Sequence, residues 1–477
     1  MSPQKAWPVL LRFLAGGVVI ICLIVATTTQ PVARGVASEI IVAVQKLGRK
    51  IEALMQGTGQ VEPDSQEALL AAAKRAVFRN PRDAQAQGTL GCLYEDMGDF
   101  DKALAAYQAA LEQAPEADHT RWRLAAMLAG QGKYDEAALQ YQILVDRNPD
   151  EPFGHNKLGI AYKELGQYTR AVKHYRTAIE LDPEYADPHC NLAVVHSIEG
   201  HFTEAYAEYD AALELDPSDP MTHNNLGYLL YKDQRFEEAV CSYLEAIRLD
   251  PGLYLARINL GMTYHHLERY DEAIIEYKVA SDLDPLDPWP HKNMGLVYVA
   301  LDDVDAAITC FSEALRLDPG MANMHHNLAM LYKQQGAYYA AIAEYREAVK
   351  LEPADHLLSS DFGYLLWITE RYPEALEVLE TSVMINPEYM NSRCNLGLVC
   401  YELGDLDRAV SECLAAIELG EASGESHANL GRCYLAEGDE AAAREMFKAA
   451  LELSSPGEWA YDTAESGLAL LDEAPAE

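Results

Sequence analysis

The stretch NLGYLLYKDQRFEEAVCSYLEAIRLDP, residues 225–251, falls into register with NLGMTYHHLERYDEAIIEYKVASDLDP, residues 259–285, when one is slid over the other by 34 positions. Both open on Asn-Leu-Gly and close on Asp-Pro, with Ala239 over Ala273 and Tyr243 over Tyr277 between. Apolar residues recur three and four apart on either side of a short polar break, the period of two helices joined by a turn. The closing proline has no N–H to continue a helix, so it ends the second one. A period shared by several columns at once marks one supersecondary unit copied along the chain.

Extended in both directions, the register holds without a gap through eleven copies. The leucine column runs from Leu90 to Leu430, with Met294 and Phe362 as its departures, and the next residue is Gly or Ala in every copy. Twelve positions further on, Ala stands in all eleven, from Ala103 to Ala443. These two small columns let the helices of a pair approach closely. One turn after the alanine comes a bulky column, Tyr107 through Tyr345 with Phe311 among them, then Leu379, Cys413 and Phe447, expected to fill the space between copies. Prolines at 115, 149 and every 34 residues to 387 stop the second helices; the tenth copy has Gly420 and Glu421 there, and the eleventh has Pro456 one residue late.

These columns resemble the tetratricopeptide repeat (TPR) family over residues 84–457. The resemblance implies an all-α, right-handed superhelical solenoid of helix-turn-helix repeats, with a concave groove lined mainly by first helices. Residues 64–83 read as a lone second helix capping the start, and 458–477 as a C-terminal capping helix and tail, since exposed end repeats need a polar lid.

Packing does not explain one column. Immediately before the leucine stand Asn191, Asn225, Asn259, Asn293, Asn327, Asp361, Asn395 and Asn429, although Asn is a poor helix former. An amide side chain offers a donor and an acceptor, matching the N–H and C=O of an extended peptide. Repeats about 10 Å apart would supply a rung roughly every three residues of such a guest. The arrangement resembles the repeat region of O-linked N-acetylglucosamine transferases, which implies a groove that grips substrate backbones. The first three copies carry Thr89, Arg123 and Lys157 instead. The competing reading is that the amides bond the neighbouring helix. Three residues after the column come Tyr228, Met262, Leu296, Met330 and Tyr364, and three further on Tyr231, His265 and Trp367, with Trp289 on the same face. The resemblance places them beside the ladder as an apolar binding surface, or packed between repeats. Two residues before the column, histidines recur at 155, 189, 223, 291, 325 and 427. They sit on different repeats about 10 Å apart, too far for three to share an ion, so no metal site is expected from them.

The net charge is −38, and because residues 1–50 hold six bases against one acid, the remainder stands near −43. Such a surface repels phosphate backbones, so nucleic acid is not an expected partner. Trp7 to Ala26 carries one charge, Arg12, and as a helix of about 30 Å it would cross a bilayer, making 1–30 a signal anchor and the protein a single-pass membrane protein, with a cleaved secretory signal as the competing reading. Residues 31–63 then read as an amphipathic juxtamembrane helix and linker, with bases suited to an anionic surface. The cysteines form no CxxC pair and read as small core residues, although Cys394, Cys400, Cys413 and Cys433 crowd the last two copies. No phosphate-binding loop, nucleophile elbow or zinc motif interrupts the repeats, and no cofactor or catalytic residue is expected. The expected function is a membrane-anchored scaffold for extended client polypeptides. A non-catalytic subunit presenting substrate to a separate enzyme, and a self-assembling array with homo-oligomers, are the alternatives.

Overall fold

The computed structural model describes residues 66–420 and 423–473. The expected anchor at 1–30, the juxtamembrane helix at 31–63 and the last residues of the tail lie outside the described residues. Among the described residues there are 24 α-helices and no strand, and no helix is long and apolar enough to cross a membrane.

The chain divides after Pro183. The first unit holds a single helix, α1 (Gln66–Arg79), and three pairs: α2 (Ala84–Asp96) with α3 (Phe100–Gln113), α4 (Asp118–Gly130) with α5 (Tyr134–Arg147), and α6 (Pro152–Glu164) with α7 (Tyr168–Leu181). The single helix lays Leu70, Ala73 and Val77 on Leu90 and Leu93, so it covers the apolar side of the first pair.

The second unit holds eight pairs and a closing helix. In chain order the pairs are α8 (Ala186–Glu199) and α9 (Phe202–Leu215), α10 (Pro220–Lys232) and α11 (Phe236–Leu249), α12 (Tyr254–His266) and α13 (Tyr270–Leu283), and α14 (Trp289–Ala300) and α15 (Val304–Leu317). There follow α16 (Ala322–Gln334) and α17 (Tyr338–Leu351), α18 (His356–Ile368) and α19 (Tyr372–Ile385), α20 (Met390–Glu402) and α21 (Leu406–Glu418), and α22 (Gly424–Glu437) and α23 (Glu440–Leu453). The closing helix is α24 (Trp459–Glu473). It buries Ala460, Ala464 and Leu471 against the Phe447 cluster. A Cβ on its Gly467 would stand 2.4 Å from the Phe447 ring, so only glycine lets this helix come so close.

Short local rules build each pair. The turn inside a pair closes through a left-handed residue, glycine at 98, 132, 166, 200, 336, 404 and 438. Gln234, Glu268, Asp302 and Glu370 take the same conformation at φ 55–60° without glycine's freedom. Aspartate carboxylates at 99, 303, 405 and 439 accept from backbone N–H groups in the first turn of the second helix, satisfying donors the helix cannot pair itself.

The bulky column differs from expectation. Its rings lie within their own pair, on the small residue of the first helix: a Cβ at Gly159 would meet the Tyr175 ring at 2.5 Å, one at Gly261 the Tyr277 ring at 2.6 Å, and one at Gly295 the Phe311 ring at 2.4 Å. The small column is therefore small because a ring fills its place. The ring also reaches the next pair, as where Tyr345 stacks on Phe362 at 5.8 Å. The Ala column is wholly buried in all eleven pairs.

The Tyr345 hydroxyl is buried with no hydrogen-bond partner among the described residues, and burial pushes its pKa up. An unpaired buried hydroxyl costs stability, and Phe311 and Phe447 already occupy this column. Tyr345→Phe is therefore expected to leave stability unchanged or raise it by up to about 1 kcal/mol in a urea titration.

Candidate functional site

The eight ladder positions all fall in first helices of the second unit, within α8 and every later first helix. Seven are partly exposed, and Asn429 is buried. From Asn225 to Asn429 these seven side chains follow one rule, set by the residue 35 positions earlier on the preceding first helix. Where that residue can accept, the amide donates to it: Asn225 Nδ2 to Cys190 Sγ at 3.8 Å, Asn259 Nδ2 to Asn224 Oδ1 at 3.0 Å, Asn395 Nδ2 to Ser360 Oγ at 3.4 Å, and Asn429 Nδ2 to Cys394 Sγ at 3.3 Å. Asp361 instead accepts from His326 Nε2 at 3.1 Å. At the corresponding places before Asn293 and Asn327 stand Ile258 and Lys292, which offer no acceptor. Among the described residues these two amides have no side-chain partner.

Much of the donor half of the ladder is thus engaged in tying adjacent repeats together. The acceptor half is freer. Asn225 Oδ1 accepts from Asn224 Nδ2 at 3.3 Å and Asn429 Oδ1 is buried, but the oxygens of Asn259, Asn293, Asn327 and Asn395 take no bond among the described residues. The middle of the unit, at 293 and 327, keeps both.

The flanking columns separate in the same way. Tyr228, Met262 and Met330 are exposed. Leu296 and Tyr364 are half-buried, and Tyr364 stacks on Trp367 with ring centroids 5.7 Å apart. Tyr231 and Trp367 pack on core clusters between repeats. The imidazole of His265 lies edge-on to Tyr270. Trp289 is exposed, with Lys292 Nζ 4.1 Å from its ring centre. A cleft of about 610 Å³ opens beside Trp367, lined by Tyr401, Arg432 and Trp459, and the Trp367 Nε1–H is buried without an acceptor among the described residues. A second cleft, of about 640 Å³, lies in the first unit between Trp122, Phe153 and the two cationic ladder positions, Arg123 and Lys157. Trp122 sits 5.3 Å from Phe153, ring to ring. Reading only the columns three and six residues after the ladder missed Trp122, which directly precedes it; Trp459 belongs to the closing helix and has no repeat counterpart.

The histidine column does not face the ladder. In several pairs a base two residues before the ladder locks onto a group 19 residues on, in the second helix, whereas His291 Nε2 meets Ser281 Oγ at 3.1 Å and His427 Nδ1 the Ser423 carbonyl of its own helix start at 2.9 Å. His189 Nδ1 lies 2.6 Å from Glu208, His325 Nδ1 2.7 Å from Glu344, and arginines fill the same role in Arg257 with Glu276 and Arg393 with Glu412, both at 2.7 Å. The other ring nitrogen turns back to the proline carbonyl six residues earlier, as with His325 and Pro319 at 3.3 Å, and His223 makes that contact alone, to Pro217 at 3.0 Å. In the third pair the partner is another histidine: His155 Nε2 is 2.9 Å from Pro149 O, and His155 Nδ1 is 3.0 Å from His174 Nδ1. A carbonyl cannot donate, so His155 carries its proton on Nε2 and its Nδ1 accepts from His174.

Burial, and then the neighbouring His155, lower the His174 pKa to about 4. Unfolded, it returns to about 6.5, so the unfolded chain binds the extra proton first as pH falls. The stability contributed by neutral His174 is complete above about pH 6.5 and drains away toward pH 4. Allowing for its partial exposure, the loss is about 1–2 kcal/mol. Urea midpoints of the full chain at pH 7.5 and 5 should differ, and His174→Gln should shrink that difference.

Against this geometry the comparisons are direct. A tetratricopeptide repeat profile matches residues 89–152, 224–288, 292–356 and 360–426, a TPR repeat profile matches 161–197 and 198–234, and a further tetratricopeptide repeat profile matches 424–456. The chain belongs to the tetratricopeptide repeat family. Repeats of this family serve as scaffolds for protein–protein interaction, ordinarily without catalysis of their own. A comparison with curated proteins gives no match. Among solved structures, the chain is similar to pilF of Pseudomonas aeruginosa (25% identity, 44% of this chain and 95% of that one, TM-score 0.39). It is similar also to YrrB, described as a TPR protein with an unusual peptide-binding site (22%, 39% and 95%, TM-score 0.34). The anaphase-promoting-complex hetero-tetramer Cut9–Hcn1 is a further match (15%, 87% and 94%, TM-score 0.37).

Proposed function

We propose that the chain is a scaffold that holds an extended segment of a client polypeptide along the first helices of its second unit, tethered to a membrane by residues 7–26. The observation that carries the reading is the pair of unbonded amides at Asn293 and Asn327, with Met330 exposed beside Asn327 and Met262 exposed on α12, the first helix before that of Asn293. These amides offer donors and acceptors that the fold does not consume, next to apolar surface that gains from cover. The free oxygens of Asn259 and Asn395 extend the same row as acceptors for guest N–H groups. Tyr231 and Trp367 contribute by fixing the spacing of the helices that bear the row. The tether rests on the sequence of 7–26 alone, whose single charge fits a bilayer span.

A photoreactive residue in place of Met330 tests the reading in cells, with Ile275, exposed on a second helix, as the control position. Saturable capture of polypeptide at 330 and none at 275 is expected. Equal capture at both would remove the case for a guest on the first helices. For the tether, deleting residues 1–30 should move the protein from the membrane to the soluble fraction; an unchanged distribution would refute it.

A further inference from the structure

Eleven near-identical turns provide an internal control for any one of them. Three positions around the turn inside each pair lie five, eight and ten residues after the ladder. The first is Tyr, Leu or Cys in ten pairs and the last is Asp, Lys, Gln, Arg or Ala. The fourth pair alone puts metal-ligating side chains at all three: His196, Glu199 and His201. A histidine at the first of these is a departure from an apolar column, and no hydrogen bond of its ring accounts for it among the described residues. His196 is more than nine-tenths buried, and its Nδ1 is buried with no partner among the described residues.

Geometry brings the three together. The left-handed Gly200 folds the chain back so that His201 N–H donates to the His196 carbonyl at 2.8 Å, fixing the two backbones side by side. One donor atom from each of the three side chains lies within 4.8 Å of the others. The imidazole and carboxylate of His201 and Glu199 stand 3.7 Å apart. That is too long for a hydrogen bond. Two ligands about 2.05 Å from one tetrahedral zinc are separated by about 3.4 Å, so a small side-chain adjustment seats an ion between them.

We propose that His196, Glu199 and His201 form a binding site for a single divalent transition ion of the zinc class, independent of the ladder. Two imidazoles and one carboxylate favour zinc over magnesium or calcium, which take oxygen ligands. Three protein ligands leave a fourth position open to solvent, since Glu199 and His201 are exposed. The ion clasps the end of α8 to the start of α9. It also gives the orphaned imidazole of His196 a role that no neighbouring group provides.

The repeat columns supply substitutions that the turn already tolerates elsewhere: His196→Leu, as at Leu128; Glu199→Gln, as at Gln131; and His201→Ala, as at Ala337. The full chain, stripped with chelator, is titrated with ZnCl2 by calorimetry and followed by thermal unfolding, with MgCl2 as control. One saturable zinc equivalent, a higher unfolding temperature with zinc and no response to magnesium are expected. Each substitution should weaken zinc at least about tenfold, the loss that follows even from removing an outer-shell partner of a ligand, while leaving zinc-free unfolding nearly in place. No saturable zinc binding by the unsubstituted chain, or an equivalent that survives all three substitutions, overturns the proposal. So does equal binding of magnesium.

Discussion

Tyr277→Ala is expected to destabilise the second unit by about 3–5 kcal/mol, the range for deleting a large ring from a packed core. The ring is 1% exposed and lies where a Cβ on Gly261 would stand 2.6 Å from it. Alanine leaves a void on both sides of the α12–α13 pair, because glycine opposite has no side chain to move in. The pair is also held by its neighbours, since the cluster around Tyr277 includes Tyr243 from the pair before and Met294 from the pair after. Repeat arrays are stabilised by their own pairs plus nearest-neighbour interfaces, so the loss should spread to adjacent pairs. Urea unfolding should show a lower midpoint and, if the pair opens alone, a shallower transition. Gly261→Ala placed on top of Tyr277→Ala should recover part of the loss; additive losses from the two would mean that the ring and the glycine do not share the space claimed for them.

The glycine and the ring illustrate what the sequence made legible and what it did not. The register, the number of pairs, the turn positions and the helix ends are all written in columns, because each depends on residues a few positions apart and recurs eleven times. That the bulky column fills its own pair was not readable, since its residues could have faced either neighbour. The ladder is a sharper case. Its existence was plain, but which amides remain free depends on residues 35 positions earlier, Ile258 and Lys292 against Asn224, Ser360 and Cys394. That dependence is itself in the sequence, but only contact between successive first helices makes it meaningful. For the histidine column no metal site was expected from the sequence, but the role that His155, His189 and His325 take, a lock between the helices of one pair, was not readable there. The three residues at the Gly200 turn, which do converge, are a combination that no other pair carries.

Dividing the ladder by its bonds leads to an expected separation of stability from binding. Replacing Asn293 and Asn327 together by alanine removes two partly exposed amides that make no side-chain bond among the described residues, so the unfolding midpoint should move by less than about 0.5 kcal/mol. Each amide can give a guest backbone one donated and one accepted bond, each contributing about 0.5–1.5 kcal/mol net. Losing both rungs should therefore weaken client binding by about 2–6 kcal/mol, at least roughly 30-fold. Replacing Asn259 and Asn429 should behave differently. Asn259 donates to Asn224, and Asn429 is buried with its Nδ2 on Cys394. Their loss leaves Asn224 Oδ1 without that donor and opens space at Asn429, at a cost of about 1–3 kcal/mol of stability each. Client affinity should fall only through the Asn259 oxygen. The measurement is a paired one, urea unfolding and affinity for the client recovered by crosslinking at position 330, on both double variants. If the 293/327 variant loses stability and keeps its affinity, the free amides serve the fold, and the guest must be held by the exposed Tyr228, Met262 and Met330 alone.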